Sequence, residues 1–157
     1  MEDLRQRIKT LETSVNQMFR QGIVNSVQAD KGTVRVQLPD ADNVITRELT
    51  VLFPRTFKNK VYDMPEVGEQ VACFFLPNGM EQGFVLGAVY SAADTVPITD
   101  PDKTHVTFKD GTMVEYDRKA HALTLNINGR ADIYADDEIT IESGTHIQLT
   151  APRIDLN

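Results

Sequence analysis

The sequence predicts an all-β chain with a short N-terminal α-helix, its β part split between a Greek-key barrel and a repetitive β-rod. Three observations predict this. The N-terminus carries an apolar seam at heptad spacing. The middle carries short strand-like runs between strong turn signals, with no internal helical pattern. The last third, Val106 to Asn157, alternates apolar and polar residues almost without pause.

Residues 3–21 read as helix. Leu4, Ile8, Leu11, Val15 and Met18 are spaced four, three, four and three apart, which is an a/d seam of period 3.5. Arg5, Gln6, Arg7, Lys9, Glu12 and Gln17 flank it and suit solvent. Asp3 is the expected cap and Gly22 the expected stop. Such a seam either lies on the following domain or joins a second copy. Its narrowness and two polar flanks favour self-association, so residues 1–21 are a candidate coiled coil.

Residues 22–91 are strand-rich. Ile23–Val27 and Thr33–Leu38 flank a hairpin turn at Asp30-Lys31-Gly32. Leu49–Phe53 is stopped by Pro54, Glu69–Leu76 precedes the turn Pro77-Asn78-Gly79, and Gly83–Tyr90 follows it. Five strands of this length without a helix between them fit a small OB-type barrel. Residues 92–105, with Pro97 and Pro101 among Thr and Asp, read as a linker.

From residue 106 onward the period is two. Leu123, Leu125 and Ile127, then Ile133, Ile139, Ile141, Ile147, Leu149, Ile154 and Leu156, alternate with Thr, Asn, Asp, Glu, Gln and Arg. Asn128-Gly129-Arg130, Asp136-Asp137 and Ser143-Gly144 punctuate them as turns. Strands this short bury too little to form a core alone, so the segment must pack on something. Repetition of this kind suggests a β-solenoid or a β-prism woven from several chains, a rod suited to mechanical work.

Composition narrows the function classes. The chain has 157 residues, 41% of them hydrophobic and 25% charged, and a net charge of -7. So acidic a chain lacks the positive footprint that phosphate binding needs, and no nucleic-acid partner is expected. The single cysteine, Cys73, cannot form an intrachain disulfide. No run is long and apolar enough to span a bilayer, and the N-terminus shows no signal-peptide pattern.

Helix, barrel and rod in this order resemble a known family. Pro65-Glu66-Val67-Gly68-Glu69-Gln70-Val71, Pro77-Asn78-Gly79 and Gly83-Phe84-Val85-Leu86-Gly87-Ala88-Val89-Tyr90-Ser91 are similar to the baseplate assembly protein V family of contractile phage tails. That family shares its OB domain with the Vgr-type spikes of type VI secretion. Asp110-Gly111-Thr112-Met113-Val114-Glu115-Tyr116-Asp117 resembles its entry into the spike β-helix. The resemblance implies a homotrimeric central spike, assembled in the bacterial cytoplasm and carried in a virion tail baseplate or an equivalent particle. It implies an OB domain docked on the tail hub and an intertwined trimeric β-helix, residues 106–157, aimed at the target cell envelope. The expected trimer interface is Leu4, Ile8, Leu11, Val15 and Met18 with Leu125, Ile127, Ile139, Ile141, Ile147, Leu149 and Ile154.

The chemical candidates point away from catalysis. Some spikes of the family end in a His-x-His apex that holds iron. None occurs here, so that apex metal is not expected and a separate tip protein is. His146 alternates opposite to Ile147 and reads as a surface residue, and His105 and His121 read as structural or exposed. Asp132, Asp136, Asp137, Glu138 and Glu142 read as a solvated face, and Asp40-Ala41-Asp42-Asn43 as a hairpin loop rather than a calcium loop. Cys73, between strand residues and beside Phe74, reads as a small buried hydrophobe. No nucleophile triad, phosphate loop or dinucleotide motif is present, so no enzyme activity and no cofactor are expected. Arg55, Lys58 and Lys60 near Phe53, Phe57 and Tyr62 form the one basic-aromatic patch. It reads as a hub-docking loop, carried by Arg55, Phe57, Lys58 and Tyr62. The rival reading is an OB module that binds an oligonucleotide or a saccharide, with a β-rich tail.

Overall fold

The heptad seam folds as helix α1 (Glu2–Met18) in the computed structural model, which describes residues 2–77 and 82–155. The helix is shorter than the pattern predicts at its C-terminal end. Phe19, Arg20 and Gln21 open strand β1 (Phe19–Gln28) instead, because a ladder partner is available: they stand opposite Phe74, Cys73 and Ala72. Asp3 is not the cap but lies inside the first turn with Glu2, where a negative charge suits the helix dipole. Gly22 is not a helix stop. It sits in β1 where a Cβ would meet Val36 Cγ1 at 2.4 Å and the Gln37 carbonyl at 2.6 Å. Only glycine lets the two strands pass so closely.

After β1 come β2 (Thr33–Leu38), β3 (Val44–Ile45), β4 (Leu49–Val51), β5 (Gln70–Phe75) and β6 (Gly83–Ala88). The sheet runs β1-β5-β6-β4-β2-β3, and a further β1–β2 pairing closes the first five into a ring. β1 makes this closure possible because it is long. Phe19–Ile23 pair with β5 while Ile23–Gln28 pair with β2, and a bulge between Val24 and Ser26 bends the strand from one to the other. β4 and β6 are parallel and every other contact is antiparallel, giving an OB-like closed barrel.

Alternation decides the interior. Val34, Val36 and Leu38 of β2 and Val71, Cys73 and Phe75 of β5 point inward, joined by Val24, Leu49, Val51 and Val85. The hairpin at 29–32 turns on Gly32, whose φ is +65°. The Asp40–Asn43 loop is a hairpin connection: a 3-10 turn at Pro39–Ala41 leads through Asp42 and Asn43, both left-handed, into β3. Thr46 is the buried polar residue among those described. Its backbone N–H donates to the Val36 carbonyl at 2.8 Å, and its Oγ1 accepts the Val36 N–H at 3.0 Å. One threonine thus continues the ladder on β2 between β3 and β4. The predicted strand ends at Leu52-Phe53 and Val89-Tyr90 lie outside β4 and β6.

The chain divides into two compact units, with the boundary between Val96 and Pro97. The second holds an antiparallel sheet in the order β7-β8-β9: β7 (Lys103–Thr107), β8 (Met113–Asp117) and β9 (Ala122–Asn126). The predicted linker is therefore shorter than 92–105, since Lys103, Thr104 and His105 already pair with β8. From residue 127 to 155 no residue is in a strand. The alternation there has no ladder partner among the described residues, and a strand exists only through its ladder. Leu156 and part of the Pro77-Asn78-Gly79 turn lie outside the described residues. No helix among the described residues is long and apolar enough to cross a membrane.

Candidate functional site

Three surfaces of this chain carry more apolar side chain than solvent alone accounts for. The first is α1. None of its residues is buried, and Leu4, Ile8, Leu11 and Val15 stand open on the seam face, with Met18 half-buried. A seventeen-residue helix with no buried face has little to hold it, because most helix stability in proteins comes from packing.

The second surface is the connection between β4 and β5, residues 52–69. Phe53 and Met64 root it in the barrel core. Tyr62 stacks on Phe53 with ring centroids 5.9 Å apart, and its hydroxyl donates to the Ala29 carbonyl at 3.3 Å. Thr56 bridges Lys60, and the Val61 N–H donates to the Arg55 carbonyl at 3.0 Å, so residues 55–61 form a small hairpin. Arg55, Phe57 and Lys58 therefore sit together on one exposed tip, Phe57 81% open to solvent, while Tyr62 belongs to the root. Sequence spacing placed Phe53, Phe57 and Tyr62 side by side; the fold separates Phe57 from the stacked pair.

The third surface is the second unit. No described residue from Pro97 onward is buried. Leu125 in β9 is exposed and Ile127 half-buried; Ile139, Ile141, Ile147, Leu149 and Ile154 are exposed, Ile141 at 71%. The structure brings the α1 residues onto one helix face. It does not bring the rod residues into a cluster within one chain.

The second unit does hold a polar framework that spacing alone does not reveal. In the β7–β8 hairpin, Lys103 and His105 face Glu115. Lys103 Nζ donates to Glu115 Oε1 at 2.8 Å and His105 Nδ1 to Oε2 at 3.0 Å. The Lys103 hydrogen bond, with that of His105, holds the Glu115 carboxyl below its ordinary range, and the same bond raises Lys103. Asp117 is lowered first by the Ala120 N–H and also by the Lys119 N–H, both of which donate to it in the β8–β9 turn. Asp102 receives Arg118 at 2.6 Å and also Lys119. At the other end, Gly111 at φ +85° turns β7 into β8, and Asn128 Nδ2 donates to the Asp110 carbonyl at 2.6 Å. The signal was available in the hairpin register: centring the turn on Asp110 puts His105 opposite Glu115. His121 occupies a left-handed turn position, and the His146 N–H donates to Ser143 Oγ. Among the described residues no group of three His, Cys, Asp or Glu side chains is arranged to hold a metal.

Residues 20–90, which span the closed barrel, match the type VI secretion system/phage-baseplate injector OB domain. Over those residues the barrel is similar to that domain. Over 154 residues, covering 94% of this chain and 72% of the relative, the chain is 27% identical to the spike protein of Escherichia phage P2. This likeness extends beyond the barrel into α1 and the second unit, the parts whose apolar faces stand uncovered.

Proposed function

We propose that three copies of this chain form the central spike of a contractile-tail baseplate or an equivalent injection particle. The injector OB barrel and the likeness to a phage spike protein support the baseplate role. One observation carries the trimer: the second unit has no buried residue among those described, yet presents Ile139, Ile141, Ile147 and Leu149 at alternating positions. A segment with one apolar face and no core of its own gains stability only by burying that face in a partner. Three copies around an axis bury it mutually, pair their strand edges and turn the acidic faces to solvent. Residues 106–157 then form an intertwined β-helix, and no copy can leave without breaking its neighbours' hydrogen bonds. That resistance suits a rod driven through a cell envelope by a contracting sheath. Leu4, Ile8, Leu11, Val15 and Met18 join at the other end of the chain, and Arg55, Phe57 and Lys58 offer the tail hub a docking tip that Tyr62 supports from its root.

Light scattering on the purified chain tests this. The expected mass is three chains, with the trimer band surviving detergent at room temperature. Ile141→Asp places three carboxylates near the axis and is expected to abolish that band. A wild-type monomer, or an Ile141→Asp trimer of undiminished detergent resistance, would sink the rod.

A further inference from the structure

We propose that the outer wall formed by β1, β5 and β6 is a barrel-to-barrel interface between copies of this chain. The inference rests on the trimer reading and adds to it a contact that neither the helix seam nor the rod supplies.

Charge gives the first argument. One residue in four of this chain is charged, yet β1, β5 and β6 together hold a single charge, Arg20. Arg20 does not face solvent on the wall. It stands opposite Cys73, its side chain is 12% exposed, and its Nε donates to Asp40 at 3.0 Å. By contrast β7 and β8 carry Lys103, Glu115 and Asp117. Strands that meet only water have no reason to exclude charge, whereas the centre of a protein interface does.

The wall also has a defined apolar centre. Phe19 stands opposite Phe74, and Phe74 opposite Phe84, so three rings cross three strands at one level. They face outward, because Cys73, Phe75 and Val85 face the core. Phe19 is 57% exposed, and Ile23 and Leu86 stand open on the same strands. The polar members serve each other: Gln70 Nε2 donates to Gln21 Oε1 at 2.9 Å. The wall therefore offers a partner aromatic surface and neutral amides, and only an uncharged partner surface fits it.

Continuity selects the partner. No loop separates α1 from β1; Met18 ends the helix and Phe19 begins the strand. A heptad seam is a pattern that packs against copies of itself. Copies packed along Leu11 and Val15 share an axis, and Phe19 follows that seam directly. Three walls turned to the same axis bury the phenylalanine row just beyond the end of the helices.

Hydroxyl-radical footprinting of the full chain, read by mass spectrometry on the same sample whose mass is measured, tests the wall. Phe57 is the internal reference in the same unit, and each rate is normalised to the chain in urea. The expected result is a three-chain mass with Phe19 oxidised several-fold more slowly than Phe57, although one chain alone exposes both. A three-chain mass with Phe19 oxidised as fast as Phe57 overturns the wall and leaves the trimer standing. A one-chain mass overturns the trimer, and the wall with it.

Discussion

Single atoms set the tolerances of the barrel. At Gly22 even one methyl group would meet a carbonyl oxygen at 2.6 Å, and at Gly83 a Cβ would lie 2.5 Å from the Phe74 carbonyl. Backbone cannot swing aside as a side-chain tip can, so Gly22→Ala is expected to cost about 1–3 kcal/mol by overpacking. Urea unfolding of the barrel would show it as a lower midpoint with unchanged slope; an unchanged midpoint would refute the close approach. Thr46 works through a hydrogen bond instead. Thr46→Val keeps the shape but leaves the buried Val36 N–H without an acceptor, a loss of about 1–3 kcal/mol. Thr46→Ser, which retains Oγ1, should recover most of it. Cys73 is fully enclosed, and burial pushes its thiol up to about 11. In the folded protein it should stay inert to a thiol reagent at neutral pH and react only as fast as the barrel opens. Prompt labelling of the native chain would contradict that enclosure.

Elements differ in how openly the sequence announces them. The barrel strands were legible because a closed barrel has one dry side, so Val34-Val36-Leu38 and Val71-Cys73-Phe75 alternate plainly. The end of α1 was not legible: Phe19 to Gln21 continue a helical pattern, and only the distant β5 turns them into strand. Tertiary pairing overrode local periodicity there. The candidate tip at Arg55, Phe57 and Lys58 was legible as a patch, but not its division from Tyr62, which depends on the stacking of Tyr62 on Phe53. The Lys103–His105–Glu115 group was hidden for another reason, since residues 103–105 follow two prolines and look like connector. That group makes the β7–β8 hairpin pH-sensitive in a predictable direction. Glu115 is held below its ordinary value of 4.5, so its contribution is complete above that value and lost as pH falls through the lowered one. Asp117 acts in the same sense. Lys103 is raised above 10.5, so its contribution is present below that value and lost as pH climbs through the raised one. Protection factors of the β8 amides, exchange corrected for its intrinsic pH dependence, should therefore fall in acid, and Glu115→Gln should weaken that fall while leaving the Asp117 part. An acid response identical in wild type and Glu115→Gln would remove the carboxylate from the account.

At the scale of the whole molecule, stability is unevenly divided. Every fully enclosed apolar side chain among the described residues belongs to the barrel, whereas the second unit encloses none. Its three-stranded sheet is knit by hydrogen bonds and ion pairs, but exposed pairs of this kind contribute little each, and a sheet with no covered face is marginal in water. The barrel has a core of its own, while the second unit, in the trimer proposed above, takes its core from its partners. Residues 97–157 produced alone are therefore expected to have no folded monomer. Circular dichroism on that segment should report strand only in samples whose light-scattering mass is three chains, and its melting temperature should rise with concentration, as for any fold coupled to assembly. Residues 1–96 alone should keep β-sheet dichroism and a protected Cys73 thiol at any concentration. A stable, monomeric, strand-rich 97–157 would mean that the second unit finds a core within one chain. The uncovered stripe from Ile139 to Ile154 would then need another explanation than a threefold rod.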